Sequence, residues 1–342
     1  MGSVTTKVRL EDLARIAGLS IATVSRALND SPVVNRITKR RVRNVALEQG
    51  YAANRFSLHA EAPACTLGIF ISSSHHSSEL LFNPFYQQMI ASVGQAARSQ
   101  GCDLHLSNLP LHDRVDLVEV MATARVDGAV FIGQCLLHDR FNQLAETHDN
   151  FIVWGQGAPG QKYRTVGSDN LAGGMRATEH LAKLGRRRIV YLGDTDGMEF
   201  RQRFQGYLNA LGMHGLAFSP QLVVPVASDT GAADLAMAAL WNSGLRFDGV
   251  FAASDAIAFG AMTALQHLGL HIPDDVSVVG YDNTHLADLS RPRLTAVSQD
   301  LVTSGQLMVS KLVGTAANDK VLSEYVSTQL VVRESCGSAV LG

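Results

Sequence analysis

From residue 66 onward, short apolar runs alternate with longer amphipathic segments, and no other feature of this chain restricts its fold as strongly. Candidate strands are Thr66–Ile71, Asp103–Ser107, Gly128–Ile132, Phe151–Trp154, Ile189–Gly193, Gln221–Val226, Gly249–Ala252 and Val276–Gly280. Helical patterns fall near 84–99, 112–124, 169–184, 199–212, 231–243, 256–268 and 302–313. Short β-rich runs separated by helices imply parallel sheets, because parallel neighbours need a crossover connection. The turn Val126-Asp127-Gly128 is echoed by Phe247-Asp248-Gly249, which suggests two similar lobes rather than one long sheet. In open parallel sheets a ligand binds beyond the carboxyl ends of the strands.

The first sixty residues follow a different pattern. Leu10, Leu13, Ala14 and Ala17 lie on one face of a short helix, with Glu11 and Asp12 in the first turn, where acids suit the positive end of the helix dipole. Gly18 supplies the left-handed residue that ends such a helix. Ser20 can cap a second helix whose stripe is Val24, Ala27 and Leu28. Helix, glycine turn, helix is the pattern of a DNA-binding helix-turn-helix. A third helix is expected from Asn35 to Gln49, with Ile37, Val42 and Val45 inward and Lys39, Arg40, Arg41 and Arg43 outward.

Charge supports the division. The net charge is −2, but residues 1–60 hold ten Lys/Arg against four acids, or +6, which leaves −8 on the remainder. A basic head on an acidic body is the charge footprint of a phosphate-binding module, since each neutralised phosphate releases condensed counterions. A charged terminal arm without a ligand is the plainer alternative. Hydrophobic residues make up 46% of the chain, enough for large cores, which excludes a disordered or fibrous protein. No apolar run approaches membrane-spanning length and no signal region opens the chain, so a cytoplasmic protein without membrane contact is expected. The scattered Cys65, Cys102, Cys135 and Cys336 read as reduced thiols without metal spacing.

Val8-Arg9-Leu10-Glu11-Asp12-Leu13-Ala14, Ala17-Gly18-Leu19-Ser20, Thr23-Val24-Ser25-Arg26-Ala27-Leu28-Asn29 and Gly50-Tyr51 resemble the head of the LacI/GalR family of transcriptional regulators. The resemblance continues through Asn83-Pro84-Phe85-Tyr86, Arg203-Phe204-Gln205-Gly206-Tyr207, Ser254-Asp255 and Ile272-Pro273-Asp274-Asp275 to Tyr281-Asp282-Asn283. It implies an α/β chain: an N-terminal all-α helix-turn-helix head, then a two-lobe periplasmic-binding-protein-like core with parallel sheets. The expected organisation is a DNA-binding domain over 1–51, a hinge over 52–65 and an effector-binding and dimerisation core over 66–342. Lobe 1 is expected at about 66–160 plus 292–318, and lobe 2 at about 161–291 plus 319–335. The implied function is a sequence-specific repressor controlled by a small effector, with operator DNA, that effector and a second copy of the chain as partners. Catalysis, cofactor and metal are not expected.

Carried over residue by residue, the base-reading positions are Ile21, Ala22 and Arg26, at the start of a helix that lies in the major groove. Arg26 has the fork that pairs with guanine O6 and N7, while Ile21 and Ala22 offer apolar contact to thymine methyls. Ser20, Ser25 and Asn29 suit phosphates. In the connector, Asn54 matches the asparagine of the family's hinge helix. The minor-groove leucine position falls on Ala60, however, with Leu58 two residues earlier and Ala53 where a proline is usual. A methyl group cannot wedge stacked bases apart as a larger side chain can.

For the effector, Phe85 and Tyr86 offer stacking faces, and Trp154 ends a strand. Arg203 and Asp282 suit a polyol, since a carboxylate accepts from hydroxyls while a guanidinium donates. A sugar or other carbohydrate is therefore the first expectation, with purine-like and other small polar ligands behind it. Phe85 and Trp154 equally fit lobe core. Ser254 is a further candidate, with Gln299, Asp194 and Gln134 weaker ones; Asp169 and Asp255 read chiefly as helix N-caps. The rival readings are a cytosolic sugar-binding protein and an NAD-linked enzyme of doubly wound α/β type. Gly155-Gln156-Gly157-Ala158-Pro159-Gly160 fits the dinucleotide pattern literally. The glycines do not open a helix there, as pyrophosphate binding requires, so the segment reads as a loop.

Overall fold

The computed structural model describes residues 9–28, scattered positions between 31 and 49, and residues 65–72, 83–111, 115–134, 137–313 and 322–338. The chain divides into two compact units, Met1–Pro63 and Ala64–Gly342, with the boundary inside the expected connector.

In the first unit, α1 (Leu10–Ala17) ends at Gly18, whose φ of 66° is the left-handed conformation that needs no Cβ. The Asp12 carboxylate accepts from the Arg9 backbone amide at 3.0 Å and so closes the open end of α1. The second helix, α2 (Ile21–Leu28), starts at Ser20, whose Oγ accepts from the Thr23 amide at 3.1 Å. Leu13, Ala14, Ala17, Val24 and Ala27 meet Val42 and Ala46 in one small core. Ala46 is fully buried where Val45 is only partly so, which turns the third segment slightly from its expected face. Ile37, Arg40, Arg43, Asn29 and hinge residues 52–64, including Asn54, Leu58 and Ala60, lie outside the described residues.

The second unit holds two six-stranded sheets. Lobe 1 contains β1 (Cys65–Ser72), β2 (Cys102–Leu111), β3 (Gly128–Ile132), β4 (Phe151–Trp154), β5 (Thr165–Ser168) and β11 (Ser323–Val326), in the order β11-β5-β4-β3-β1-β2, all parallel. Lobe 2 contains β6 (Ile189–Leu192), β7 (Val223–Val224), β8 (Gly249–Ala252), β9 (Ser277–Asp282), β10 (Thr295–Ser298) and β12 (Gln329–Val331). Its order is β12-β10-β9-β8-β6-β7, with only β12 antiparallel. The inner strands β3, β4, β5, β6, β8 and β9 are buried on both faces, as parallel sheets require. In β3, Val130 and Ile132 pack under the helices Pro84–Ser99 and Leu301–Val313, while Ala129 and Phe131 point to the opposite core with Phe141, Phe151 and Tyr163. That is the period of two expected of a strand.

The repeated Asp-Gly turn has a structural cause. Asp127 Oδ2 accepts from the Thr66 amide at 2.7 Å, and Asp248 accepts from the Arg187 and Arg188 amides at 2.9 and 2.8 Å. Each aspartate thus pins the start of the neighbouring strand in its own lobe.

Three expectations need correction. The lobes exchange chain at 168–170, 298–301 and 326–329, so β5 and β11 belong to lobe 1 and β10 to lobe 2, against the expected boundaries near 160, 292 and 318. These four-residue strands of mixed polarity show no periodicity, and their pairing partners alone assign them. The expected strand Gln221–Val226 shrinks to β7, because Pro225 has no amide to donate to a ladder. The expected helix at 112–124 begins only at Leu117, where Asp116 caps it through the Val118 amide at 2.9 Å.

The cysteine expectation also fails in part. Cys65 and Cys102 are register partners on β1 and β2, with Cα atoms 4.6 Å apart, and they form a disulfide. Strand pairing, invisible in a separation of 37 residues, brings them together. Cys336 is a free buried thiol.

Candidate functional site

Two sites emerge, one in each unit. In the head, burial of Val24 and Ala27 leaves the opposite side of α2 open: Ile21 is 48% exposed, Ala22 and Arg26 are exposed, and Ser25 is half-buried. Ser20 is exposed too, although its hydroxyl already serves α2 as cap and meets Thr23 Oγ1 at 2.8 Å. A short helix with a guanidinium, a methyl and a branched apolar side chain on its free face has the chemistry for reading base edges in a major groove.

In the second unit, the carboxyl ends of the two sheets meet across the chain crossings. Arg203 sits in the helix Met198–Met213 and is 5% exposed. Its Nε donates to Asn170 Oδ1 at 2.7 Å and its Nη1 to the Ala253 carbonyl at 2.6 Å. The guanidinium lies 3.8 Å from the centre of the Tyr281 ring and 5.0 Å from that of Phe200. Gly174 allows this placement: a Cβ there would collide with the Arg203 backbone, so the helix Asn170–Lys183 can pack tightly on Met198–Met213.

Asp282 ends β9 with a φ of 110° and lies 3.9 Å from Arg203 Nη1. Burial pushes its carboxyl up to about 6, against the opposing pull of Arg203 and of the Gln299 hydrogen bond. Gln299 donates to Asp282 Oδ1 and accepts from Ser168 Oγ, which links the end of β9 to the end of β5. Asp255 is not an N-cap. Ser254 is, accepting from the Ile257 amide at 3.3 Å, while Asp255 begins the helix Asp255–His267 fully buried. Asp255 Oδ2 accepts from the amide and hydroxyl of Thr284, and Oδ1 has no partner among the described residues. Burial, then repulsion from Asp282, holds the Asp255 carboxyl well above the usual range. Asp169 is an N-cap as expected, accepting from the Ala172 amide at 2.9 Å.

On lobe 1, Phe85 and Tyr86 are half-buried at the start of the helix Pro84–Ser99, which Asn83 caps through the Phe85 amide at 3.0 Å. Their rings meet edge to face at 5.3 Å. Trp154, 5% exposed, belongs to the lobe core and backs Phe85 at 6.4 Å, so its indole supports the aromatic wall from behind. Gln134 is buried between the Tyr163 hydroxyl and the Gln156 amide. The Ser254 hydroxyl is engaged with Ser228 Oγ at 2.8 Å, and Asp194 accepts from the amides of Asp196 and Gly197. These three therefore shape the cleft and hold its loops. Contacts that cross directly between the lobes include those of Asn83 Nδ2, which donates to the Ser228 carbonyl, and of the His285 amide, which donates to Gln88 Oε1.

Sequence reasoning missed Asn170 and Ser168, which act through tertiary contacts with Arg203 and Gln299. Residues 155–160 form a loop, and no helix starts there.

The architecture is that of a DNA-reading head joined to a two-lobed ligand clamp. Residues 9–54 match the model of bacterial regulatory proteins of the lacI family, and residues 178–336 match a periplasmic binding protein-like domain. The transcriptional regulator CelR of Thermobifida fusca is 32% identical over 339 residues, which cover 95% of this chain and 97% of CelR. A solved CelR–cellobiose complex superposes with a TM-score of 0.67 at 29% identity, covering 96% of this chain and 99% of that one. The lac repressor dimer bound to operator and the anti-inducer ONPF shares the fold, with a TM-score of 0.69 at 23% identity and coverage of 97% and 99%. The chain belongs to the LacI family: it is a DNA-binding transcriptional regulator, not an enzyme. Among the described residues, no helix is long and apolar enough to cross a membrane.

Proposed function

We propose that this protein is a homodimeric repressor whose operator affinity is set by a carbohydrate held between the lobes of its core. The observation that carries this reading is the Arg203–Asp282 pair at the lobe 2 strand ends, with the Phe85–Tyr86 wall across the cleft. An aromatic face packs on the C–H face of a sugar ring, while a carboxylate and a guanidinium take its hydroxyls. Phe85, Tyr86, Arg203 and Asp282 are the contact residues in this reading; Trp154 and Ser254 position them. In the head, Ile21, Ala22 and Arg26 read bases, while Ser20, Ser25, Asn29 and Asn54 position the backbone.

An effector that contacts both walls favours the closed arrangement of the lobes, and only such a differential interaction can shift an equilibrium. The Asn83–Ser228 and Gln88–His285 contacts belong to the closed arrangement, so their loss on opening defines the second state. Two linked weak heads bind a two-fold operator far better than one. The complex of CelR with cellobiose supports a carbohydrate, and makes cellobiose the first ligand to test. The test is selection of an operator from random duplexes, followed by gel retardation of the full chain with and without cellobiose and a panel of sugars. Enrichment of a two-fold motif, with retardation altered by a sugar, is the expected result. Absence of an enriched motif sinks the DNA half of the proposal, and indifference to every sugar sinks the effector half.

A further inference from the structure

Cys65 is the first residue of β1, next to the boundary between the two units, and Cys102 is the first residue of β2. Their disulfide is the opening rung of the β1–β2 ladder, and it closes a loop of chain that carries the helix Pro84–Ser99. Gln100 and Gly101 alone separate the end of that helix from Cys102. Both cysteines pack in the core cluster that holds Met89 and Val93, from the inner face of the helix, and Phe85 and Tyr86 at its start. Among the described residues β2 pairs only with β1, so the bond fastens an edge strand. β1 has a second tether that does not depend on the bond. Thr66 donates its amide to Asp127 Oδ2 at 2.7 Å, and its carbonyl accepts from the Asp127 amide at 2.8 Å.

Both redox states fit this site. Cys65 is half-buried and Cys102 is 7% exposed, so a small thiol or disulfide meets Cys65 first. Cys102 Sγ lies 3.8 Å from the Gln100 carbonyl, which accepts the thiol proton once the bond is cut. A regulator of the LacI family works beside the chromosome, where thiol buffers keep most cysteines reduced, and a disulfide formed there is characteristically transient or redox-sensing. Formation balances against glutathione disulfide. The Cys65 thiolate attacks one of its sulfurs and expels a glutathione thiolate; the Cys102 thiolate then attacks the mixed disulfide and expels the second. The two cysteines give up two electrons and two protons, which reduce glutathione disulfide to two molecules of glutathione, and reduction of the bond is the reverse. With the bond cut, β2 and the end of the helix are held by the ladder and the core alone, whereas β1 keeps its Asp127 tether.

We propose that Cys65 and Cys102 form a reversible thiol–disulfide switch on lobe 1. Oxidation by a low-molecular-weight disulfide fastens β2 and the adjoining end of the helix Pro84–Ser99, and reduction releases them. The full-length chain is equilibrated in anaerobic glutathione buffers from fully oxidised to fully reduced, then trapped with acid and an alkylating agent, and its thiols are located by peptide mass spectrometry. The disulfide fraction should pass through its midpoint within the series. A bond that survives the most reducing buffer, or never forms in the most oxidising one, overturns the switch. Hydrogen exchange is then compared between the two states, with C65S, which cannot form the bond, as the control for the other cysteines. Reduction should speed exchange about threefold or more across residues 97–107, leave β1 unchanged and have no effect on C65S. Equal exchange in both states, a change that spares residues 97–107, a speeding of β1 as large as that of β2, or an equal response in C65S overturns the proposed loosening. If C65S does not fold, the reduced and alkylated wild-type chain supplies the bond-free reference. Neither measurement uses a ligand, so the switch is tested independently of the carbohydrate reading.

Discussion

Gln299 Nε2 donates to Asp282 Oδ1 at 2.6 Å, while Gln299 Oε1 accepts from Ser168 Oγ at 2.5 Å. One side chain at a chain crossing therefore joins the Asp282 carboxylate of lobe 2 to the last residue of β5 in lobe 1. Ser168 passes the connection on, since its carbonyl accepts from Gln156 Nε2 at 2.7 Å and from Asn170 Nδ2 at 3.1 Å. Asn170 in turn holds Arg203. The pair proposed to grip the effector is thus braced by the segments in which the chain passes between the lobes.

Replacement of this brace is the first prediction. Gln299→Leu leaves Asp282 and Ser168 without their partner in a buried site, at a cost of about 1–3 kcal/mol in unfolding free energy. Chemical denaturation measures that loss. Operator retardation should persist while its response to effector weakens; a wild-type effector titration would remove Gln299 from the coupling path.

In the head, Arg26→Ala should lower operator affinity by ~1–3 kcal/mol and relax preference at one base position. Competition gel retardation across single-base operator variants reads both effects. Uniform loss on every sequence assigns Arg26 to phosphate instead.

Two glycines of the helix pair offer a contrast in sign. At Gly174 a methyl group would strike the Arg203 backbone, so Gly174→Ala should destabilise by about 1–3 kcal/mol through overpacking and disturb effector binding. At Gly212 a methyl group has nothing within 4 Å and the residue is helical, so Gly212→Ala should stabilise by roughly 0.5–1 kcal/mol. Thermal unfolding of the two variants distinguishes packing from backbone entropy.

Acid should stabilise this core within one window. The Asp282 carboxyl is raised from 3.8 to about 6 in the folded protein, so the folded state holds a proton that the unfolded chain has released. Its contribution is fully present below about pH 4 and is lost as pH rises through 6, a change of roughly 3 kcal/mol at most. Asp255, shifted in the same direction, adds to this trend. Glu179, Asp275 and Glu334 are shifted downward at the surface and oppose the trend at lower pH. Subtracting the pH–stability profile of Asp282→Asn isolates the buried carboxyl: wild type should lose ground to the variant as pH rises from 4 to 7. A constant difference would show that Asp282 titrates normally.

The linear chain already disclosed most of the architecture, because strands and helices announce themselves by local periodicity. β3, β4 and β8 have their expected ends, as does the helix Pro84–Ser99. Gly18 and Ser20 marked the boundaries of the head helices because a left-handed turn and a cap are single-residue chemistry. Arg203 and Asp282 were legible as residue types suited to a polyol. What they touch was not.

Pairing and burial were decided only in three dimensions. The assignment of β5, β10 and β11 to their sheets, the bond between Cys65 and Cys102, and the passage of Gln299 between lobes all join residues far apart in sequence. Neighbouring side chains along the chain set local conformation, whereas these contacts exist only after the sheets close and water is expelled. The same expulsion separates Asp255 from its apparent role as a cap: in water an aspartate at a helix start is a surface group, but here it is fully buried and its carboxyl is pushed well above the usual range by burial and by the nearby Asp282.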